Sequence, residues 1–352
     1  MPRRSLTKRG YAGRTIASKA LEIERGNIAS MDVGAPVRWV DGYQRMHRWI
    51  SFPIAVGKRF GESGAGSLAA AIAYYGFFSL FPLLMVLTSI ASIALKGRTD
   101  LQEQLVRSAL SQFPVIGTQI RQEVGSIEGS AVAVTIGLAL ALWAGLGGVR
   151  AAQVAMNTVW DVPRTRRPST PASIGRAALM LVVLGVFVAA AAALAGVATA
   201  TSGPLSVTLG LLGSIALNVA MFAVAYRVLT SASVAWRDVI PGACVAGVGW
   251  TALLAAGGWI VGGRLASSSD VYGTFALVIG LLGWIYLGAQ LTLLGAVLNV
   301  VAAKRLWPRS LQGNDLTDAD ERALRRSARQ EERREDETVT VSFEATPSKR
   351  VD

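Results

Sequence analysis

The chain of 352 residues is 52% hydrophobic and only 16% charged, yet it carries a formal net charge of +12. Its single cysteine, Cys244, excludes a disulfide framework and a thiolate metal site within one chain; it is expected to be a small buried hydrophobe. The basic excess invites a nucleic-acid reading, but no RNA- or DNA-binding motif accompanies it, whereas basic residues beside apolar spans are what membrane insertion and anionic headgroups select.

Residues 1–40 mix basic residues with Gly, Ser and Ala and show no sustained apolar period, so they are expected to form a disordered basic tail. Residues 41–66 read as an interfacial lead-in. Trp49, Ile50, Pro53, Ile54 and Val56, with Trp39 and Met46 just before, stand among Arg45, His47, Arg48, Lys58 and Arg59. Such a segment serves either as a structured approach to the first span or as a regulatory element. No apolar stretch of signal-peptide length precedes it, so the first span is expected to act as its own insertion signal.

Six apolar stretches follow, at about 67–95, 131–158, 177–201, 205–226, 239–261 and 274–303, each reaching the ~20 residues that a helix needs to cross a bilayer. Strands of an outer-membrane barrel would alternate apolar and polar residues over ~10 positions, and these stretches do not. The fold class is therefore all-α: a polytopic membrane bundle with six transmembrane helices over 67–303. Between the first two spans, Leu101, Leu105, Ala109, Ile116, Ile120, Val124 and Ile127 recur at roughly helical spacing on either side of Pro114. Short amphipathic helices in this first external loop are expected, either packing over the span ends or acting as a gate.

Alternate connections differ in charge. One side holds Arg38, Arg45, Arg48, Lys58 and Arg59, then Arg164, Arg166, Arg167 and Arg176, then Arg227 and Arg237, and finally Lys304, Arg305 and Arg309. On the other side, Lys96, Arg98, Arg107 and Arg121 are matched by Asp100, Glu103, Glu123 and Glu128, and the remaining connections carry only Arg264 and Asp270. Positive residues favour the cytoplasmic side, so both termini are expected there, facing anionic lipid headgroups in the cell membrane. Residues 304–352 are expected to form a charged, mostly disordered tail. A short helix over 318–334 is allowed, with Thr317 or Asp318 capping it and Glu321 paired with Arg325.

Within the spans, Arg150 is an ionisable group that costs ~2.5–3.5 kcal/mol in hydrocarbon unless solvated or partnered. Arg150, Gln153 and Asn157 fall at i, i+3 and i+7 on one helix face. They are a candidate substrate path, or else Arg150 snorkels while Gln153 and Asn157 bond to neighbouring helices. Tyr74, Tyr75, Ser79 and Pro82 in the first span are further path candidates, because Pro82 leaves one carbonyl without its usual donor. Gly283, Gln290, Gly295 and Asn299 mark a candidate helix interface in the last span. Arg227, Arg237 and Asp238 mark a candidate cytoplasmic turn.

Hydrolysis needs an acid/base pair or a carboxylate cluster. The chain has one histidine, His47; Asp161 and Asp238, at span ends, are the carboxylates nearest the spans, and no nucleotide-binding loop is apparent. No enzyme activity, cofactor or metal is expected.

Four segments, AAAIAYYGFFSLFPLL (69–84), WAGLGGVRAAQVAMNTVWDV (143–162), AYRVLTSASVAWRDVIPGA (225–243) and YGTFALVIGLLGWIYLGAQLTLLGAVLN (272–299), resemble in order and spacing the YihY/BrkB family of bacterial inner-membrane proteins. Some members of that family were once labelled ribonuclease BN. Val297 and Thr230 depart from the family pattern, which often has an acidic residue and a proline there. The resemblance implies a six-helix bundle and a role in transport or envelope integrity. The chain is thus expected to be a transporter or translocator of an anionic or amphipathic, lipid-like substrate, or alternatively a non-transporting scaffold. The homo-oligomeric state and the envelope partners are left open by the sequence.

Overall fold

The computed structural model describes residues 34–94, 131–200, 204–263, 273–311, 316–334 and 336–343. Among them all regular structure is helical. Two amphipathic helices, α1 (Gly34–Met46) and α2 (Arg48–Glu62), lead into six long ones: α3 (Ala65–Ala94), α4 (Ala131–Val159), α5 (Thr170–Ala200), α6 (Pro204–Leu229), α7 (Trp236–Gly263) and α8 (Gly273–Lys304). A short helix, α9 (Asp318–Arg329), follows. The first external loop, with its expected amphipathic helices, lies outside the described residues, as do residues 1–33 of the N-terminal tail and 344–352 of the C-terminal one.

Helices of this composition arise because hydrocarbon offers backbone groups no partner, so each segment satisfies its own. Among the described residues four helices, within α5 to α8, are long and apolar enough to cross a membrane; α3 and α4 run for 30 and 29 residues. Each long helix packs on the next in the chain, and α8 returns to α3, closing a ring. The outer faces stay apolar: Leu179, Val182 and Val186 on α5 and Leu205, Leu209 and Leu212 on α6 are more than half exposed at helical spacing. Such faces are unfavourable in water and suit lipid. Cys244 also lies exposed on α7 rather than buried, because the core is drawn to the α8-facing positions Ala243 and Ala246 on either side of it.

Among the residues whose burial is described, the core includes the end of the ring where α2, α9 and the α4–α5 and α6–α7 connections lie. We call this the basic end. Helices α4 and α8 both stop there in the same way. Asp161 and Arg305 take left-handed backbone (φ 53° and 51°), and the amides of Val162 and Leu306 reach back to the Asn157 and Val301 carbonyls at 2.9 and 3.1 Å. This closes each helix with a 6→1 bond while burying the following apolar side chain.

The lead-in matches its interfacial pattern in part. His47 separates α1 from α2, and Trp39, Met46 and Trp49 are at least 70% exposed, with Tyr43 stacked between Trp39 and His47. Yet Asp41, Gln44, Ser51 and Arg59 are buried. Asp41 and Gln44 face the chain after α8, whose composition marks it as a solvated tail, while Arg59 turns to the end of α4.

That tail is ordered from Leu316 through α9. Asp320, 1% exposed, accepts from Arg309 Nε at 2.6 Å, Lys58 Nζ at 2.9 Å and the Ser310 amide at 2.8 Å. Arg309 also donates to Glu62 at 2.6 Å, and Gln44 donates to the Arg309 carbonyl at 2.6 Å. Nearby, Arg59 donates to Asp161 at 2.6 Å and to the Val159 carbonyl at 3.0 Å, placing its charge at the C-terminal end of α4, where the helix dipole favours a cation. Arg326 of α9 approaches the same carboxylate at 3.5 Å. High charge density suggested solvation, but these charges satisfy one another inside a contact that composition cannot display. The helix expected over 318–334 ends at Arg329, with the Glu321–Arg325 pair at 3.1 Å.

Thr317 opens α9 with a capping box: its hydroxyl oxygen accepts the Asp320 amide, while the Asp320 carboxylate accepts the Thr317 amide. Thr317→Ala removes half of that box. We expect it to weaken α9 by about 1 kcal/mol, read as faster limited proteolysis between α8 and α9. Cleavage at the unchanged rate would mean that the tertiary contacts alone hold the helix.

Candidate functional site

At the basic end, α6 finishes with Arg227, Val228 and Leu229, and α7 begins at Trp236. The connection between them, TSASVA, is too short and too rich in small residues to cover the ends of its helices. An open groove of about 880 Å³ remains beside the first turns of α5. Arg176, Arg227, Thr230 and Ser231 form its polar wall, and Leu179 and Val224 contribute apolar surface. Among the described residues no acidic side chain lines it, and two guanidinium groups do.

Each of these groups is positioned. Arg176 Nη1 donates to Ser231 Oγ at 3.2 Å. The Arg227 guanidinium lies over the Trp236 ring, 4.6 Å from its centre, a cation–π contact that holds the charge at the rim. Thr230 is only 4% exposed, and its hydroxyl has no hydrogen-bond partner among the described residues. Other buried polar atoms at this end also lack partners among the described residues, but of their residues Thr230 is the one that lines the groove. A buried hydroxyl left unpaired costs on the order of 1–3 kcal/mol, so its position calls for an explanation.

Helix α4 supports the groove from behind. Asn157 Oδ1 accepts the Ser231 amide at 2.8 Å. Gln153 exchanges two bonds with Ser173 in the first turn of α5: its amide donates to the Ser173 carbonyl at 3.1 Å, and its oxygen accepts the Ser173 hydroxyl at 2.6 Å. The stripe expected to line one path is therefore divided. Gln153 and Asn157 are buried structural partners of the groove's elements, whereas Arg150 lies exposed on α4.

The other expected site residues are dispersed. Tyr74 and Tyr75 are 57% and 41% exposed, and Tyr75 lies over Gly147, whose Cβ position is 3.0 Å from its ring. Ser79 donates to the Gly76 carbonyl of its own helix at 2.8 Å. Pro82 lies within α3, and the surroundings of its side chain lie outside the described residues. In the expected helix interface, Gly295 and Asn299 are buried against α7, with Asn299 Oδ1 accepting the Gly242 amide at 2.6 Å. Gly283 instead is exposed with open space around it, and Gln290 is half-buried. Of the expected turn residues, Arg227 joins the groove, while Arg237, 89% exposed at its side chain, lies 3.7 Å from Asp238.

In the sequence Arg176 stands out only as loop charge and Thr230 only as a departure from the family pattern, and Ser231 does not stand out at all. The available signal was local: a short polar connection between two spans, bracketed by Arg227 and Trp236. What brings Arg176 to it from some 50 positions away is the packing of α5 on α6.

Apolar outer faces, helices of membrane-crossing length and a basic end define an integral membrane protein of the helical-bundle class. Residues 56–318 match the family described as Virulence factor BrkB, and the chain belongs to that family. It is 31% identical over 292 residues to a UPF0761 membrane protein of Stenotrophomonas maltophilia, covering 78% of this chain and 66% of that one. A UPF0761 membrane protein of Chromohalobacter salexigens is 27% identical, with 70% and 62% covered. The chain thus spans slightly less than two thirds of these relatives' length. A Bacillus subtilis protein named as ribonuclease-like, YfkH, is 24% identical, with 68% and 90% covered. No solved structure matches the chain. Among the described residues no three His, Cys, Asp or Glu side chains gather as metal ligands would.

Proposed function

We propose that this protein is a six-span translocator of the cytoplasmic membrane, with both termini inside, that moves an anionic or amphipathic substrate by way of the groove between α5, α6 and α7. The observation that carries this reading is a groove lined, among the described residues, by two arginines and no acid, continuous with the apolar side chains of Leu179 and Val224. A site of one charge sign concentrates ligands of the opposite sign, and the apolar wall suits a ligand that is part lipid. Basic connections gathered at one end support the orientation.

The test is reconstitution in liposomes, following a fluorescent anionic lipid between leaflets. Movement above empty liposomes is expected, and the double variant Arg176→Ala/Arg227→Ala should reduce it by about tenfold or more. No movement above the empty control overturns the translocator reading. Arg150→Ala separates the two sites: a loss confined to that variant would place the path on the exposed flank of α4.

A second reading, a non-transporting scaffold for the envelope, draws on α9, which presents exposed Arg322, Arg325 and Arg329 from a fixed position. It requires that deleting residues 318–352 remove partners from cross-linking pull-downs.

A further inference from the structure

We propose that the groove is a phosphate site, built for the phosphate of an anionic lipid headgroup and formed by Arg176, Arg227, Thr230 and Ser231. The inference rests on the reading of the groove as a substrate entry and specifies the ligand. Its donors come from three elements. Arg176 reaches in from α5, Arg227 stands at the end of α6, and the Thr230 and Ser231 hydroxyls lie on the connection between α6 and α7. Helix α7, 28 residues long, begins at the rim with Trp236 and adds the positive end of its dipole.

Donors arriving from several sides suit a tetrahedral anion, which presents acceptor oxygens in several directions, better than a flat carboxylate, which one guanidinium satisfies in its own plane. The Thr230 hydroxyl is the second, independent observation. Thr230 lines the groove, yet its hydroxyl is turned out of solvent reach and has no partner among the described residues; rotation about χ1 would bring it to a phosphate oxygen that satisfies it. Leu179 and Val224 select the lipid-borne form over the free ion. They leave apolar wall beside the charges, where inorganic phosphate gains nothing and an acyl-glycerol backbone buries surface. Trp236, half exposed under Arg227, is the amphipathic side chain expected where headgroup meets hydrocarbon.

The experiment uses the full chain in detergent micelles and measures binding of short-chain phosphatidylglycerol, short-chain phosphatidylcholine and inorganic phosphate by native mass spectrometry and fluorescence titration of the tryptophans. Phosphatidylglycerol is expected to bind best. Arg176→Gln and Thr230→Val should each weaken it by about tenfold, with Thr230→Ser retaining most of the affinity. Unchanged thermal unfolding and size-exclusion elution show that each variant is folded; Thr230→Val, nearly equal in volume, guards against collapse of the site. Phosphatidylglycerol affinity that is the same in all folded variants overturns the site. Inorganic phosphate binding as tightly as the lipid, with the same dependence on the variants, overturns the lipid assignment. Tight, variant-sensitive lipid binding with no movement between leaflets keeps this site and overturns translocation, whereas movement without variant-sensitive binding does the reverse.

Discussion

Gly242→Val is expected to leave little or no folded bundle. At this point α7 and α8 touch backbone to backbone. A Cβ on Gly242 would fall on the Gly295 carbonyl oxygen and within 2.6 Å of the Asn299 side chain. One on Gly295 would meet the Tyr226 hydroxyl and come within 2.7 Å of the Gly242 carbonyl. None of these neighbours is free to yield: Tyr226 is fully buried and donates to the Thr292 carbonyl at 2.8 Å, and Asn299 is held by the Gly242 amide. Between apolar helices in lipid, close approach through small residues supplies the packing that water would otherwise drive. Overpacking a tight core costs ~1–3 kcal/mol, and a clash with backbone belongs at or above the top of that range. Gly283→Ala is the matched control, because that position is exposed with open space around it; alanine there should be neutral or stabilise α8 by up to about 1 kcal/mol. Thermal unfolding in detergent reads both. Equal melting temperatures for Gly242→Val and Gly283→Ala would show that α7 and α8 do not cross in this manner.

Asp320→Ala should release α9 from the bundle. The carboxylate pairs with Arg309 where both side chains are 1% exposed, so its removal leaves a buried guanidinium with Glu62 as its remaining carboxylate partner. Breaking a buried pair of this kind costs about 3–5 kcal/mol. A reporter is available in Ala323, which is 2% exposed: Ala323→Cys in a Cys244→Ser background should resist maleimide in the otherwise native chain and label rapidly once Asp320 is replaced. Equal labelling rates would sink the idea that this contact holds the helix. Burial by itself raises the Asp320 carboxyl, but the Ser310 amide, Arg309, Lys58 and Thr317 together outweigh it and hold the group far below the usual carboxylate range. A lowered pKa contributes stability above the ordinary carboxylate value of about 4, and loses it as pH falls through the folded-state value. Docking of α9 should therefore be constant from pH 8 to pH 5 and fail only in strong acid.

The family and the helical class were legible in the chain because both rest on near-continuous information: unbroken apolar runs of bilayer length, and four motifs in fixed order. Gly295 and Asn299 were also legible as interface residues, since a glycine and an amide in an apolar helix have few other uses. Gly283 was not distinguishable from them, because glycine spacing leaves open which face of α8 meets a neighbour.

Apolar periodicity and charge asymmetry by themselves determined that this is a multi-helix membrane protein with one basic end, since hydrocarbon imposes length and composition on every span. Only the tertiary structure decided what the polar residues do. Arg176 meets Thr230 and Ser231 because α5 packs on α6, and Asn157 turns from a path residue into a support because the α6–α7 connection bonds to it. Residues 316–329 become part of the bundle because Arg309 and Asp320 find each other and Lys58 in a buried contact. Burial and pairing of charge are properties of contacts between distant positions, and local sequence records the charges without recording whom they meet.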